Sequence, residues 1–275
     1  MEKTPDLTAL VLEVAPKRVT TTPGHLGRAA YALLLKLIAA TEPALAEDLH
    51  TKNERKPFTC STLVGGRRQA KNERVYTPEE TAWLRFTGLD ASVSAHLCRL
   101  AENPPDVVEL DGQLFEVRTA TLNNDTHPWA NQSSYEALSA PYLLSHRQPD
   151  SHLQLSFFSP TTFRSRGLSH PVPMADWVFG NLWDFWNAFS PVPLPEETRG
   201  YADERVVLSR YQLKTHAVPM KNKIAEMGCV GQAYYVILDK DRYWSAILNL
   251  LADYAFYSGV GYQTTVGLGQ AQRIK

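Results

Sequence analysis

Residues 259–269 read GVGYQTTVGLG, with four glycines, Gly259, Gly261, Gly267 and Gly269, in eleven positions. The stretch follows a helical pattern, in which Trp244, Ile247, Leu251 and Tyr254 recur on one face, and it feeds a closing strand. Gly259 is placed to end that helix as its C-cap. Walker and dinucleotide-binding loops have the reverse order, a strand followed by the loop and then a helix N-terminus. The order helix, glycine loop, strand therefore argues against a nucleotide-binding α/β domain and for an α+β fold. Two readings of the loop itself stay open. It is a structural turn, or a ligand loop whose N–H groups and Thr264 and Thr265 hydroxyls meet phosphate oxygens.

Moving back from the loop, Cys229–Leu238 and Val206–Thr215 are β-rich, and 191–195 (PVPLP) is a rigid connection. Trp177–Phe189 puts Val178, Leu182, Phe185 and Phe189 on one helical face, and His152–Phe158 alternates as a strand. Residues 123–150 are polar and broken by Pro128, Pro141 and Pro149.

The first half shows the same rhythm. Leu7–Val14 alternates as a strand. Leu26, Ala29, Ala30, Leu33, Leu34, Leu37 and Ile38 stripe a long helix, and Pro43 opens a short second helix that His50 closes. Thr81–Thr87 is a strand, Asp90 caps a helix carrying Val93, Leu97 and Leu100, and Asp111-Gly112 joins a hairpin. Each half approximates β-α-β-β-α-β, which predicts two tandem ferredoxin-like (RRM-like) domains, 1–148 and 149–275, without a detectable sequence repeat.

The chain has 275 residues, 44% of them apolar and 21% charged, with a formal net charge of -1. It is long enough to bury its own core. No global basic field points to a nucleic-acid partner, so any RNA site must be a local patch. Cys60, Cys98 and Cys229 are far apart and odd in number, which supports neither a disulfide framework nor a thiolate zinc site. The N-terminus has no signal core, and the apolar stretch Leu26–Ala40 is too short to span a bilayer. A cytoplasmic protein without a membrane partner is expected. His96, His127, His146, His152, His170 and His216 have no metal-ligand spacing, and Asp239 and Asp241 read as a strand–helix turn, so no metal is expected.

Three further segments could carry chemistry. Ala46–His50 ends a helix whose C-terminus favours a cation, and Lys56 follows six residues later, before 57–61 (PFTCS). His50 could exchange a proton and Lys56 could neutralise phosphate charge; a surface histidine and a loop lysine are the plain alternatives. In 157–164 (FFSPTTFR) a strand ends in hydroxyls and Arg164. Arg67, Arg68 and Lys71 follow a Gly65-Gly66 turn and could grip phosphates, with Arg166, Lys221 and Lys223 as additional cations.

Taken together and in order, the segments around EPALAEDLH and KPFTCSTL, FFSPTTFR, GCVGQAYYVIL and FYSGVGYQTTVGLGQA resemble the CRISPR-associated repeat-RNA endoribonucleases of the repeat-associated mysterious protein superfamily. The resemblance runs through nearly the whole chain. It implies tandem ferredoxin-like domains and cleavage of precursor CRISPR RNA within each repeat, without metal or other cofactor. Attack of a ribose 2′-hydroxyl on the adjacent phosphorus would leave 5′-hydroxyl and 2′,3′-cyclic phosphate ends. It implies catalytic roles for His50 and Lys56, and RNA contacts by the cations above and by the loop Gly259–Gly269. His25, at the start of the long helix, is the rival histidine. The tyrosine that some members carry in that helix falls on Leu35, and Tyr31, one turn earlier, could substitute only in part. That departure keeps open a second reading, a weak or inactive repeat-RNA-binding subunit of a larger CRISPR effector complex.

Overall fold

The computed structural model describes residues 5–51, 54–70, 72–144, 148–220, 225–239 and 241–275. Internal packing divides the chain into two units, one running to Ser133 and joined by Thr265–Gly267, the other running from Ser134 to Thr264 and from Leu268 to Lys275.

In the first unit, the apolar run LTALVLEVAP forms strand β1 (Leu7–Pro16), buried at nine of its ten positions. A strand with both faces covered needs no polar alternation. After β2 (Thr20–Pro23) come helices α1 (Gly27–Thr41) and α2 (Pro43–Thr51) and strand β3 (Phe58–Cys60). Strands β4 (Arg67–Ala70) and β5 (Glu73–Tyr76) form a small sheet with β2. Then follow β6 (Ala82–Gly88), α3 (Ala91–Glu102), β7 (Val107–Leu110), β8 (Gln113–Thr121) and β9 (Asn131–Ser133).

Asp90 caps α3 by accepting the Val93 N–H at 2.8 Å. The β7–β8 turn places Asp111 and Gly112 at φ 51° and 74°, the left-handed pair that a two-residue hairpin requires. The main sheet has the order β3-β6-β1-β8-β7, with β9 also pairing β1. Counting β1, β3, β6 and β8 as the four strands of a βαββαβ unit, their spatial order is second, third, first, fourth. Leu33, Leu34 and Ile38 of α1 and Val93 and Leu97 of α3 join Leu10, Leu12, Phe58, Leu84 and Phe86 in one core. Each such side chain contributes about 1.5–3 kcal/mol by leaving water.

The second unit opens with α4 (Tyr135–Leu143), followed by β10 (His152–Thr161), the hairpin β11 (Phe163–Ser165) and β12 (Leu168–His170), α5 (Ala175–Phe189) and α6 (Glu197–Arg205). The long strands β13 (Val206–Pro219) and β14 (Ala225–Ile237), helix α7 (Arg242–Ser258) and β15 (Ala271–Ile274) complete it. Its sheet has the order β13-β14-β10-β15. With β10, β13, β14 and β15 as the four strands, this again reads second, third, first, fourth. The fold is α+β, two tandem ferredoxin-like units, as the rhythm of the sequence predicts.

The second unit begins earlier than the expected 148/149 division because α4 packs within it. The Tyr135 ring meets Trp186 edge-on at 5.0 Å, Trp186 meets Tyr254 at 5.2 Å, and the Tyr135 and Tyr254 hydroxyls lie 3.2 Å apart. Among the described residues no helix is long and apolar enough to cross a membrane.

Candidate RNA-processing site

The N-terminal end of α1 is where the two ends of the sequence meet. His25 Nε2 lies 2.9 Å from the Val266 carbonyl oxygen, so Nε2 carries the proton and Nδ1 the lone pair. Around this bond the backbones approach closely. A Cβ on Gly27 would fall 1.8 Å from the Val266 oxygen, and one on Gly267 would fall 2.8 Å from His25 Cε1. Thr62 Oγ1 accepts the Leu26 N–H at 2.7 Å, and Ser61 bridges Gly267 in parallel. Burial lowers the His25 pKa. The bond to Val266 opposes that shift, and Arg28 adds to it. The ring is therefore neutral at neutral pH.

Tyr31, about one turn into α1, is half-buried with its ring 5.7 Å from that of Phe58. Burial raises its hydroxyl pKa, so it remains a neutral donor. Leu35 is half-buried against the core. His50 is exposed in the last turn of α2. Lys56 is half-buried just before Pro57, whose carbonyl accepts the Leu89 N–H at 2.9 Å, and β3 begins at Phe58. The chain between His50 and Lys56 reaches at most about 20 Å when fully extended. Lys56 precedes by two residues Phe58 of β3, whose ring meets that of Tyr31, and His50 ends the helix before this loop. His25 packs against Val266, Gly27 and Gly267.

The glycines of 259–269 serve close packing. Gly259, at φ 63°, ends α7 with its N–H donated to the Ala255 carbonyl. The Gly261 N–H donates to Asn181 Oδ1 at 2.7 Å, and the Gly269 N–H to the Pro160 carbonyl at 3.0 Å. The Val260 N–H donates to the Gly269 carbonyl at 2.8 Å. These donors point inward. Thr264 is buried, and Thr265 is half-exposed.

The expected cations fall in several places. Arg67 and Arg68 are exposed on β4, and Arg67 Nε donates to Glu80 Oε1 at 2.8 Å. Arg164 on β11 is bonded to Glu226, and Arg166 is exposed in the β11–β12 turn. Lys71, Lys221, Lys223 and His146 lie outside the described residues. Among the described residues no three His, Cys, Asp or Glu side chains gather as a metal site.

Several polar side chains that organise these regions were not singled out from the sequence. Asn181 on α5 holds Gly261, and buried Glu226 on β14 holds Arg164. Buried Arg85 on β6 donates to the Trp129 carbonyl at 2.8 Å. Each partner is distant in sequence, so no local pattern marks it.

Two ferredoxin-like units in one chain define the class as tandem ferredoxin-like proteins. Residues 7–140 match the family model described as CRISPR Cas6 N-terminal domain, and residues 155–271 match that described as CRISPR-associated endoribonuclease Cas6. The chain belongs to the Cas6 family and is an endoribonuclease of CRISPR RNA processing. A Cas6 product complex (TTHB231, from Thermus thermophilus) is similar at 27% identity and TM-score 0.81, covering 98% of this chain and 100% of that one. A second Cas6 product complex (TTHA0078) is 29% identical with TM-score 0.76, covering 98% and 99%. The substrate-mimic complex of that second protein is 28% identical with TM-score 0.73, again covering 98% and 99%. No curated protein sequence matches the chain.

Proposed function

We propose that this chain cuts precursor CRISPR RNA within its repeats by metal-independent transesterification, with His50 transferring protons and Lys56 neutralising charge on the reacting phosphate. The ribose 2′-oxygen attacks the adjacent phosphorus, and the P–O5′ bond breaks. A base takes the 2′-hydroxyl proton and an acid protonates the departing O5′, leaving a 2′,3′-cyclic phosphate and a 5′-hydroxyl. No water is activated, so catalysis reduces to proton transfer and stabilisation of the charge on phosphorus.

The observation that carries the assignment is the contrast between two histidines. His25 donates its Nε2 proton to Val266 and is closed in by Gly27 and Gly267, whereas His50 is exposed six residues before Lys56. A ring held in a fixed neutral tautomer and packed on both sides suits a structural role. Tyr31, with its hydroxyl kept neutral, is suited to donate a hydrogen bond to a phosphate oxygen. Arg67, Arg68 and Arg166 are the proposed phosphate contacts among the described cations, with Arg67 exchanging its bond to Glu80, and Arg68 its bond to the Ala70 carbonyl, for phosphate. The product and substrate-mimic complexes of similar Cas6 proteins support RNA as the partner, and a cytoplasmic location follows from that substrate.

The test is a repeat RNA with a single 2′-deoxy substitution at the cleaved nucleotide. Removing the nucleophile should abolish cutting while binding persists, and the unmodified product should carry a cyclic phosphate. Cutting of the deoxy substrate, or a 5′-phosphate on the product, would refute the mechanism.

A further inference from the structure

Tyr262 is an aromatic side chain left half-exposed on a loop that is otherwise fixed. Its own N–H donates to the Thr162 carbonyl at 2.8 Å. The preceding Gly261, at φ 91°, lies so close to β10 and β11 that a Cβ there would fall 2.4 Å from the same carbonyl oxygen. The backbone beneath the ring is held at Thr162, so the ring moves only among its side-chain rotamers. Its relative exposure is 38%.

The Arg164 guanidinium lies over this ring, with Cζ 4.9 Å from the centroid. Arg164 is itself held. Glu226, only 4% exposed, bonds Arg164 through one carboxylate oxygen and accepts the Ser169 hydroxyl at 2.5 Å through the other. Burial alone would raise the Glu226 pKa, but the bonds from Ser169 and Arg164 outweigh it and keep the group ionised. A carboxylate this deep contributes no surface charge; its effect is to fix the direction of one arginine. Rigid aromatic faces paired with a cation stack nucleobases without regard to their edges, and unpaired RNA bases are recognised in this way.

We propose that Tyr262 and Arg164 form a stacking platform for one unpaired nucleobase of the RNA, with Glu226 and Ser169 as positioning residues for Arg164. The proposal rests on the RNA-processing reading and adds to it a base contact separate from the cleavage chemistry.

The experiment measures binding and cleavage of the host's repeat RNA side by side, across a salt series, for wild type and for Tyr262→Leu, Tyr262→Phe and Glu226→Gln. Leucine keeps apolar bulk at an exposed position whose backbone bonds are untouched, so the variant folds. Stacking predicts a loss of about tenfold or more in affinity for Tyr262→Leu, with an unchanged salt slope, because no phosphate contact is removed. Tyr262→Phe should recover the affinity. Glu226→Gln, which frees Arg164, should weaken binding by a smaller factor. Single 2-aminopurine substitutions in the repeat should reveal one base whose fluorescence is quenched by wild type and not by Tyr262→Leu. Equal affinity for wild type and Tyr262→Leu, or no base whose quenching depends on Tyr262, would overturn the platform alone. Absence of binding and cutting by wild type would overturn the RNA-processing reading, and the platform with it.

Discussion

The His25 imidazole donates its Nε2 proton to the carbonyl of Val266, 241 positions away in sequence, at 2.9 Å. This bond and the glycine contacts around it hold the segment Thr265–Gly267 within the first unit. Replacing His25 with alanine removes the donor, leaves the carbonyl unpartnered and opens space beside Gly267. A loss of about 1–3 kcal/mol is expected, read as a lower urea midpoint with an unchanged slope. Cleavage by the folded variant should persist under the structural role proposed for this histidine.

The same histidine gives a pH dependence whose sign follows from its shift. The folded-state pKa lies below the ordinary 6.5, so between those values the unfolded chain binds a proton that the folded chain does not. Stability is therefore complete above about pH 6.5 and falls as the pH drops through it. His96 and His127, also lowered by burial, act in the same direction. Melting temperature should fall from pH 7.5 to pH 5.5, and the fall should be smaller in His25→Gln.

Glycine substitutions should separate close backbone approach from mere flexibility. Gly27→Ala would place a methyl 1.8 Å from the Val266 oxygen, and should cost about 3 kcal/mol or more or displace the segment. Gly200→Ala, in exposed α6 with nothing within 4 Å of its added carbon, should stabilise by about 0.5–1 kcal/mol. Thermal denaturation of the two variants makes the comparison.

The Arg273 side chain on β15 is buried and donates to Asn249 Oδ1 at 2.7 Å, to Asp150 Oδ2 at 2.6 Å and to the Tyr142 hydroxyl at 3.1 Å. Arg273→Ala leaves Asp253, itself 12% exposed, bonded to Tyr142 and Lys275 without its buried cation. A destabilisation of about 3–5 kcal/mol is expected in chemical denaturation.

The sequence carried those parts of the fold that are written locally. The Asp90 cap, the Asp111-Gly112 turn and the stripes of α1, α5 and α7 occur where the residues indicate them, because each depends on neighbours within one or two turns. Helix α4 was hidden. Only Tyr135 of it is buried, Pro141 lies inside it, and its Ser134 cap, which accepts the Ala137 N–H at 3.0 Å, stands in a polar stretch that reads as a linker. The hairpin β11–β12 was likewise unmarked, although Arg166 and Gly167 at φ 50° and 77° form its turn.

The glycine-rich loop was legible as a unit but not in its contacts. Its order between helix and strand correctly set aside the nucleotide-binding folds. The inward direction of the Gly259, Gly261 and Gly269 donors depends on Ala255, Asn181 and Pro160, and the link from Val266 to His25 spans the chain. Of the proposed site, the local setting of His50 and Lys56 was legible because the short helix, the histidine and the Pro-Phe strand start are consecutive, while their catalytic roles are a proposal. Glu226 was not, since one glutamate in a β-rich stretch carries no sign that it is buried beneath an arginine.

Cleavage of the host's repeat RNA in EDTA, comparing wild type with His50→Ala, tests the central claim most directly. The account predicts a chelator-resistant cut in wild type and a loss of about a hundredfold or more in rate for the variant, with RNA affinity retained. Normal cutting by His50→Ala would contradict it and return the role to His25.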